Sequence, residues 1–269
     1  MMIYDCIVDG LAKKKPQNLS IDEFLQSLQN PVKTLRVAYK KNPVLVAYEN
    51  NNIQAAYLTT YLPHYYQLIY KIFIEDTPNI FQDTETVNLT FIGGGPGSEA
   101  YGAVKYIVNN CPKVKIINIA ILDINAGSWS YSHDIVLEHL IKKITTNKIE
   151  VEIKSVSFNL INSNDIEKVK DLVLKTDLLV IQNCLNEIAN NDYNSLIKSV
   201  NQLFSYLPNN SYFLMSDLTS GARNTIRDLE TILKAEFKPK FLKSTLNLPS
   251  SKTLISVHHK PSEIIVKIY

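Results

Sequence analysis

Between residues 85 and 220, short runs rich in Val, Ile and Leu alternate with stretches in which apolar residues recur every three or four positions. The runs Val87 to Ile92, Val114 to Asp123, Glu150 to Phe158, Asp177 to Asn183 and Tyr212 to Asp217 read as strands covered on both faces. Helical spacing covers Glu99–Val108, Ser132–Thr145, Asp165–Leu174, Tyr193–Leu207 and Ala222–Glu236. Such alternation predicts a doubly wound α/β sheet with right-handed crossovers. The tail differs: its apolar runs, Phe241–Leu248, Leu254–His258 and Ile264–Tyr269, leave no room for helices between them. Strands joined that way pair as hairpins, so the end of the sheet is expected to be antiparallel.

Ahead of the sheet the pattern is helical. Ser20 to Glu23 is a capping box, in which hydroxyl and carboxylate satisfy free amides at a helix start, and the helix from Ile21 is expected to stop before Pro31. A longer helical pattern from Asn52 to Ile74 is expected to break at Pro63, with Leu68, Ile69, Ile72 and Phe73 on one buried face. The chain therefore divides near residue 84 into an N-terminal helical cap, 1–84, and an α/β domain, 85–269.

Composition narrows the class. No run reaches the roughly 20 apolar residues of a spanning helix, since Lys115, Asn118 and Asp123 interrupt the stretch from Val114 to Ile124. The N-terminus has no basic region followed by an apolar one, so a cytoplasmic protein without membrane partners is expected. Cys6, Cys111 and Cys184 are scattered, which offers no disulfide framework and no metal site. A net charge of +2 and a single short basic run, Lys13 to Lys15, read as a solvated loop, promise no nucleic-acid grip.

The sharpest local signal is Gly93-Gly94-Gly95-Pro96-Gly97, set between the first strand and the first helix and followed by Ser98 and Glu99. Glycines allow a tight turn and let a ligand approach bare backbone. A dinucleotide would need a third glycine where Ser98 stands, and its pyrophosphate would meet the charge of Glu99. The G-x-G-x-G spacing therefore favours a ligand without phosphates. Asp123 closes the second strand, where a carboxylate can accept from both hydroxyls of a ribose.

This loop, with its Pro-Gly pair, resembles motif I of the Rossmann-like (class I) S-adenosylmethionine-dependent methyltransferases. The resemblance implies a Rossmann-like catalytic domain that binds S-adenosylmethionine, with the Gly93–Gly97 backbone against the methionine part and Asp123 on the ribose. Ile124 would pack on the adenine face, and Phe158 and Asn159 would lie at its edge. The family usually carries an acid two residues before the first glycine; this chain has Phe91, which leaves Glu99 as the candidate partner for the cofactor's amino group. After the fourth strand, Asn183, Asn186 and Glu187 stand where the family's loop faces methyl group and acceptor, with helix capping as the competing role. Asp217 invites the same two readings, and Trp129 is a candidate wall of the adenine pocket.

Tyr57 to Tyr66 is rich in tyrosine, and in similar methyltransferases this helix folds over the cofactor, which makes Tyr61 and His64 candidates at the reacting end. His64, His133, His258 and His259 are the available imidazole bases. The expected reaction is methyl transfer to an O or N nucleophile of a small-molecule or peptide acceptor. RNA is the alternative acceptor: Ala56 to Tyr65 is similar to the start of ribosome-associated methyltransferase-like proteins, and Gly93 to Trp129 to fungal ribosomal-RNA uridine methyltransferases. The first of those groups carries iron–sulfur cysteines that this chain lacks. A non-catalytic module that keeps the fold, supported by Phe91, and a dehydrogenase complete the alternatives.

Overall fold

Every strand expected upstream of residue 220 forms, because each carries a run of β-branched and apolar side chains, and all but the edge strand at 150–157 are buried along much of their length. A computed structural model describes residues 3–41, 44–75, 80–145, 148–232, 240–243 and 252–259. In chain order, five helices come first: α1 (Ile3–Lys14), α2 (Ile21–Ser27), α3 (Gln29–Ala38), α4 (Asn51–Thr60) and α5 (Leu62–Glu75). The alternating part follows as β1 (Thr86–Ile92), α6 (Ser98–Asn110), β2 (Ile116–Asp123), a 3-10 turn (Ala126–Trp129), α7 (Ser130–Ile135), a π-helical turn (Val136–Ile141) and α8 (Lys142–Thr145). It continues with β3 (Glu150–Ser157), α9 (Ser163–Lys168), α10 (Lys170–Val173), β4 (Leu178–Gln182), α11 (Leu185–Tyr206), β5 (Tyr212–Leu218) and α12 (Thr219–Ile232). Two strands close the described chain, β6 (Lys240–Lys243) and β7 (Lys252–His259).

Five strands pair in parallel in the order β3-β2-β1-β4-β5. Beyond β5, β7 runs antiparallel, with Tyr212 opposite His259 and Leu218 opposite Thr253, and β6 pairs antiparallel on its far side. The expected tail runs therefore fall on described backbone only at 240–243 and 252–259; 244–250 and 260–269 lie outside the described residues.

Several boundaries moved for identifiable reasons. The break between α4 and α5 falls at Tyr61, not at Pro63, because proline sits without penalty in the first turn of α5, where no intrahelical N–H bond is needed. Pro31 likewise begins no loop: α2 ends at Ser27 and α3 restarts at Gln29, which puts Pro31 in its first turn. Lys13 and Lys14 occupy the last turn of α1, where positive charge meets the free carbonyls, and Lys14 pairs with Asp134. The stretch read as one helix over 165–174 is two short ones, whereas the helix expected from Tyr193 begins there: the backbone of α11 is non-helical at Asp192, whose Oδ1 accepts from the Ser195 amide at 3.0 Å, and a further helical segment from Leu185 precedes that kink. Strand β3 is not covered on both faces; as the edge of the sheet it is largely exposed, with Val151 and Ile153 half-buried.

The sheet divides two cores. On one side Ile92, Leu122, Leu179, Ile181, Phe213 and Met215 pack with α11 residues such as Leu196 and Leu203. On the other, Leu89, Phe91, Ile119, Ile121, Val180 and Leu214 pack with α6 and with Ile7, Leu11, Phe24, Leu58, Ile69 and Phe73 of the N-terminal helices. The boundary expected near residue 84 falls between α5 and β1, and one continuous core runs across it.

The closest approach in that core is α5 against α6 at Gly102, where a Cβ would lie 2.1 Å from Ile69 Cγ2 and 2.4 Å from the Tyr66 carbonyl oxygen. Helix propensity alone favours Gly102→Ala by about 1 kcal/mol. Because the second clash is with backbone, overpacking wins, and Gly102→Ala is expected to destabilise by about 1–3 kcal/mol in urea unfolding. A gain in stability would show that the two helices separate freely.

Candidate functional site

Chain reversal around β1 creates the crevice. From β1 the chain moves to β2 and β3 on one side, then returns to β4 on the other, so the loops after β1 and β4 diverge at the carboxyl edge of the sheet. The loop after β1 is the glycine string. Gly93, Gly95 and Gly97 have φ of 66°, 47° and 87°, a left-handed region that side chains resist. Space agrees with conformation: a Cβ at Gly93 would lie 2.7 Å from Cys184 Sγ, and one at Gly97 2.8 Å from Leu137. Gly94 is hemmed in by Ile121 and Phe91, and Pro96 fixes the backbone between the last two left-handed turns.

Asp123 holds this loop. The Gly95 amide donates to its Oδ2 at 2.9 Å, and the Asn125 amide donates to its Oδ1 at 2.7 Å. With 8% of its surface exposed, the carboxyl is pushed above its ordinary range by burial, while those two amides and nearby His133 oppose the rise. The Trp129 indole N–H adds to that opposition without reaching hydrogen-bond geometry. His133 donates from Nε2 to the Gly95 carbonyl at 2.9 Å, so both faces of the Gly95 peptide are held. Burial pushes His133 below the usual imidazole range, which favours the neutral ring bearing its proton on Nε2.

Trp129 packs beside the glycine loop. Its ring would lie 3.4 Å from a Cβ on Gly95, and its centroid is 4.2 Å from that of Tyr48 and 5.3 Å from that of Tyr57. Tyr57, Tyr61 and Tyr65 recur every four residues and form a stripe, with centroids 5.1 Å apart for the first pair and 5.9 Å for the second. Burial raises all three phenols, and the charges on Glu99 and Glu187 raise Tyr65 further. His64 packs on Tyr65 at 5.5 Å and is lowered by burial.

The loop after β4 turns at Asn183, whose φ of 56° is unusual for a side-chain-bearing residue and aims the chain back toward Gly93. The Asn183 amide donates to the Ser216 carbonyl at 2.8 Å, and its side-chain Nδ2 is buried without a partner. Asn186 does not cap with its own side chain. Instead its amide donates to Asp217 Oδ2 at 3.1 Å, which ties the start of α11 to the end of β5. Glu187, half-buried in the first turn of α11, is lifted to about 7 by burial and by Asp217 and Asp123.

Other expected residues lie apart. The Phe158 side chain is buried with Leu122 and Leu160 in the core on the other face of the sheet. Asn159 is tied into a turn, its Oδ1 accepting from the Ile161 amide at 3.2 Å. Ile124, beside Asp123, is 62% exposed. By register, His258 and His259 sit opposite Phe213 and Tyr212, the first residues of β5, at the far edge of the sheet from the glycine loop.

Four contributors escaped the sequence reading: Tyr39, Tyr48, Gln54 and Gln182. Gln54 donates from Nε2 to the carbonyls of Tyr48 (2.7 Å) and Ser128 (2.6 Å) and accepts from the Ser132 amide at 2.8 Å, which ties α4 to the segment carrying Trp129. Its signal was a polar residue among Ile53, Ala55, Ala56 and Leu58, on the apolar side of a helix. Tyr39 and Tyr48 share a hydroxyl contact of 2.6 Å. Gln182 ends an otherwise apolar strand and donates to Glu99 Oε1 at 2.9 Å.

Among solved structures, the chain superposes on a Listeria monocytogenes protein assigned to the class I S-adenosylmethionine-dependent methyltransferases, with a TM-score of 0.55, 11% identity, and coverage of 100% of this chain and 88% of that one. It also matches the CurJ carbon methyltransferase, with a TM-score of 0.53, 9% identity, and coverage of 97% and 80%. No family model and no curated protein sequence matches it. The fold is thus that of the Rossmann-like class I methyltransferases. No helix among the described residues is long and apolar enough to cross a membrane.

Glu99 is 5% exposed, and burial lifts its carboxyl to about 8. Its folded value lies above its unfolded one, so the native state binds the extra proton and stability falls as pH rises from about 4.5 through about 8. Glu99→Gln cannot ionise. The melting-temperature difference between Glu99→Gln and the wild type is expected to shift in favour of the variant from pH 5 to pH 8; a pH-independent difference would place Glu99 in contact with solvent or a cation.

Proposed function

We propose that this chain is an S-adenosylmethionine-dependent methyltransferase acting on an O or N nucleophile of a small-molecule or peptide acceptor. The observation that carries the reading is the junction of Asp123 with the Gly95 amide at the crevice between β1 and β4. The donor set suits the cofactor. Asp123 keeps further lone pairs for a ribose, and the three left-handed glycines leave a backbone cradle free of side chains. Exposed Ile124 offers an apolar surface for adenine.

When bound, S-adenosylmethionine supplies an electrophilic methyl carbon on a sulfonium centre. Tyr57, Tyr61 and Tyr65 present ring faces that attract positive charge. Asn183 and Glu187, on the loop facing those rings, are the groups that orient the acceptor. With the cofactor held by Asp123 and the glycine loop, methyl transfer would be an in-line displacement, which these residues would serve by aligning the acceptor. The acceptor's proton passes to Glu187, whose value of about 7 suits a base at neutral pH. Holding the reactants in line supplies most of the acceleration, and His64 lines the same wall without being required as a base. The near-balanced charge favours a small or peptide acceptor over RNA.

Calorimetry tests the reading directly. Wild type is expected to bind S-adenosylhomocysteine; Asp123→Ala, losing both ribose acceptors and the brace on Gly95, is expected to bind it at least about 30-fold more weakly. Absence of binding by a folded wild type would leave a non-catalytic module, and a thermal shift with NAD instead would make it a dehydrogenase. A second measurement addresses the acceptor: radiolabelled methyl groups should appear in a metabolite or peptide extract, and incorporation into RNA alone would transfer the proposal to RNA.

A further inference from the structure

The glycine loop is flanked on two sides. A Cβ on Gly95 would lie 3.4 Å from the Trp129 ring, and one on Gly93 would lie 2.7 Å from Cys184 Sγ in the loop after β4. A closed circuit of rings starts from Trp129. By ring centroids Tyr48 stands 4.2 Å and Tyr57 5.3 Å from it, Tyr61 lies 5.1 Å from Tyr57, and Tyr39 lies 5.2 Å from Tyr61. The hydroxyls of Tyr39 and Tyr48 meet at 2.6 Å and close the circuit. Each of its four tyrosines keeps part of its surface open, unlike rings packed only as core.

Across from these rings stand acids. Glu187 lies one helical turn beyond Cys184, and its charge acts on the hydroxyls of Tyr39, Tyr48 and Tyr65. Asp123 acts on Tyr48, Asp217 on Tyr65, and Glu99 on Tyr57 and Tyr65. The bases are otherwise placed: Arg36 acts on Tyr61 from an exposed position on α3, and His133 is engaged on the Gly95 carbonyl. Burial disfavours a charge on His64, which packs on Tyr65. The buried donors without a partner here, Asn183 Nδ2 and Trp129 Nε1, are neutral.

An anion entering between these walls would meet carboxyl groups with only neutral donors to offset them. An alcohol would gain hydrogen bonds but little from the ring faces. A protonated amine gains from both walls: the rings attract its charge, and it donates to Glu187 and to the Tyr39 and Tyr48 hydroxyls, which keep more lone pairs than protons after sharing one hydrogen bond. We infer that the ring circuit and Glu187 form the acceptor subsite, and that it selects a protonated aliphatic amine. The inference rests on the methyltransferase reading for the fate of the amine, not for its binding. One proton must leave before the nitrogen is nucleophilic. Its N–H bond breaks, the proton forms an O–H bond on the Glu187 carboxylate, and the lone pair stays on nitrogen.

Calorimetry on protein saturated with S-adenosylhomocysteine, whose own affinity is measured first, tests the subsite. The probes are propylamine, its neutral and anionic counterparts propanol and propionate, tetramethylammonium, and Nα-acetyl-lysine amide. Wild type is expected to bind propylamine about tenfold or more tighter than propanol, and propionate not at all. Acetyl-lysine amide binding as well as propylamine would give the amine a peptide source; propylamine binding alone would give it a small-molecule source. Glu187→Gln is expected to weaken propylamine about tenfold. Tyr61→Leu is expected to weaken both propylamine and tetramethylammonium about threefold or more, and Tyr61→Phe, which keeps the ring face, to restore them. If a variant fails to fold, the order of the probes on wild type decides alone. The subsite is overturned if wild type binds no amine, if propanol or propionate binds as tightly as propylamine, or if folded Glu187→Gln and Tyr61→Leu both keep the wild-type amine affinity. Where S-adenosylhomocysteine does not bind, the same probes are applied to the free protein. Amine selectivity there would sink the methyltransferase reading and leave the subsite standing, and S-adenosylhomocysteine binding without amine selectivity would do the reverse.

Discussion

The glycine loop depends on one carboxylate. Asp123 ends β2, and its two oxygens take the amides of Gly95 and Asn125, so a single side chain fixes both the turn after β1 and the turn after β2. Three left-handed glycines in five residues would otherwise be a floppy segment, since glycine loses more conformational freedom on ordering than any other residue. The His133 bond to the Gly95 carbonyl and the Trp129 ring against Gly95 complete the restraint. The cradle is thereby shaped before any ligand arrives, which lowers the ordering cost of binding.

Around that brace the electrostatics are one-sided. Glu99, Asp123, Glu187 and Asp217 gather at the carboxyl edge of the sheet, and burial rather than ion pairing sets the protonation of the first three. Like charges held close in a poorly solvated place push one another toward neutrality. Such an edge favours groups that carry positive charge over anions.

Much of this was legible from residues alone. The strands from β1 to β5 declared themselves by apolar runs, and the Gly93–Gly97 string and Asp123 by position, because backbone geometry demands particular residues there. What stayed hidden were relations between distant segments. Nothing local in Gln54 reveals that it bonds Ser128 and Ser132, and nothing in Asp217 reveals that it accepts from the Asn186 amide at the start of α11. Nor does the place of Phe158 after β3 reveal that its side chain is buried with Leu122 and Leu160 in the core that packs with α11. Helix α1 was not singled out although its buried residues Ile3, Cys6, Ile7, Gly10 and Leu11 recur at helical spacing, and α3 was not because Pro31 read as a stop rather than as a first-turn residue.

The continuous core beneath α1 to α6 bears on how the site can evolve. Roof and floor are not a lid hinged on a platform: the tyrosine stripe rides on helices whose other sides are packed into the same core that supports β1 and β2. Reshaping the roof for a different acceptor therefore taxes the stability of the whole domain. Tyr57 shares that constraint, since its ring packs on Trp129 and against the cluster of Leu35, Ile53 and Ala56.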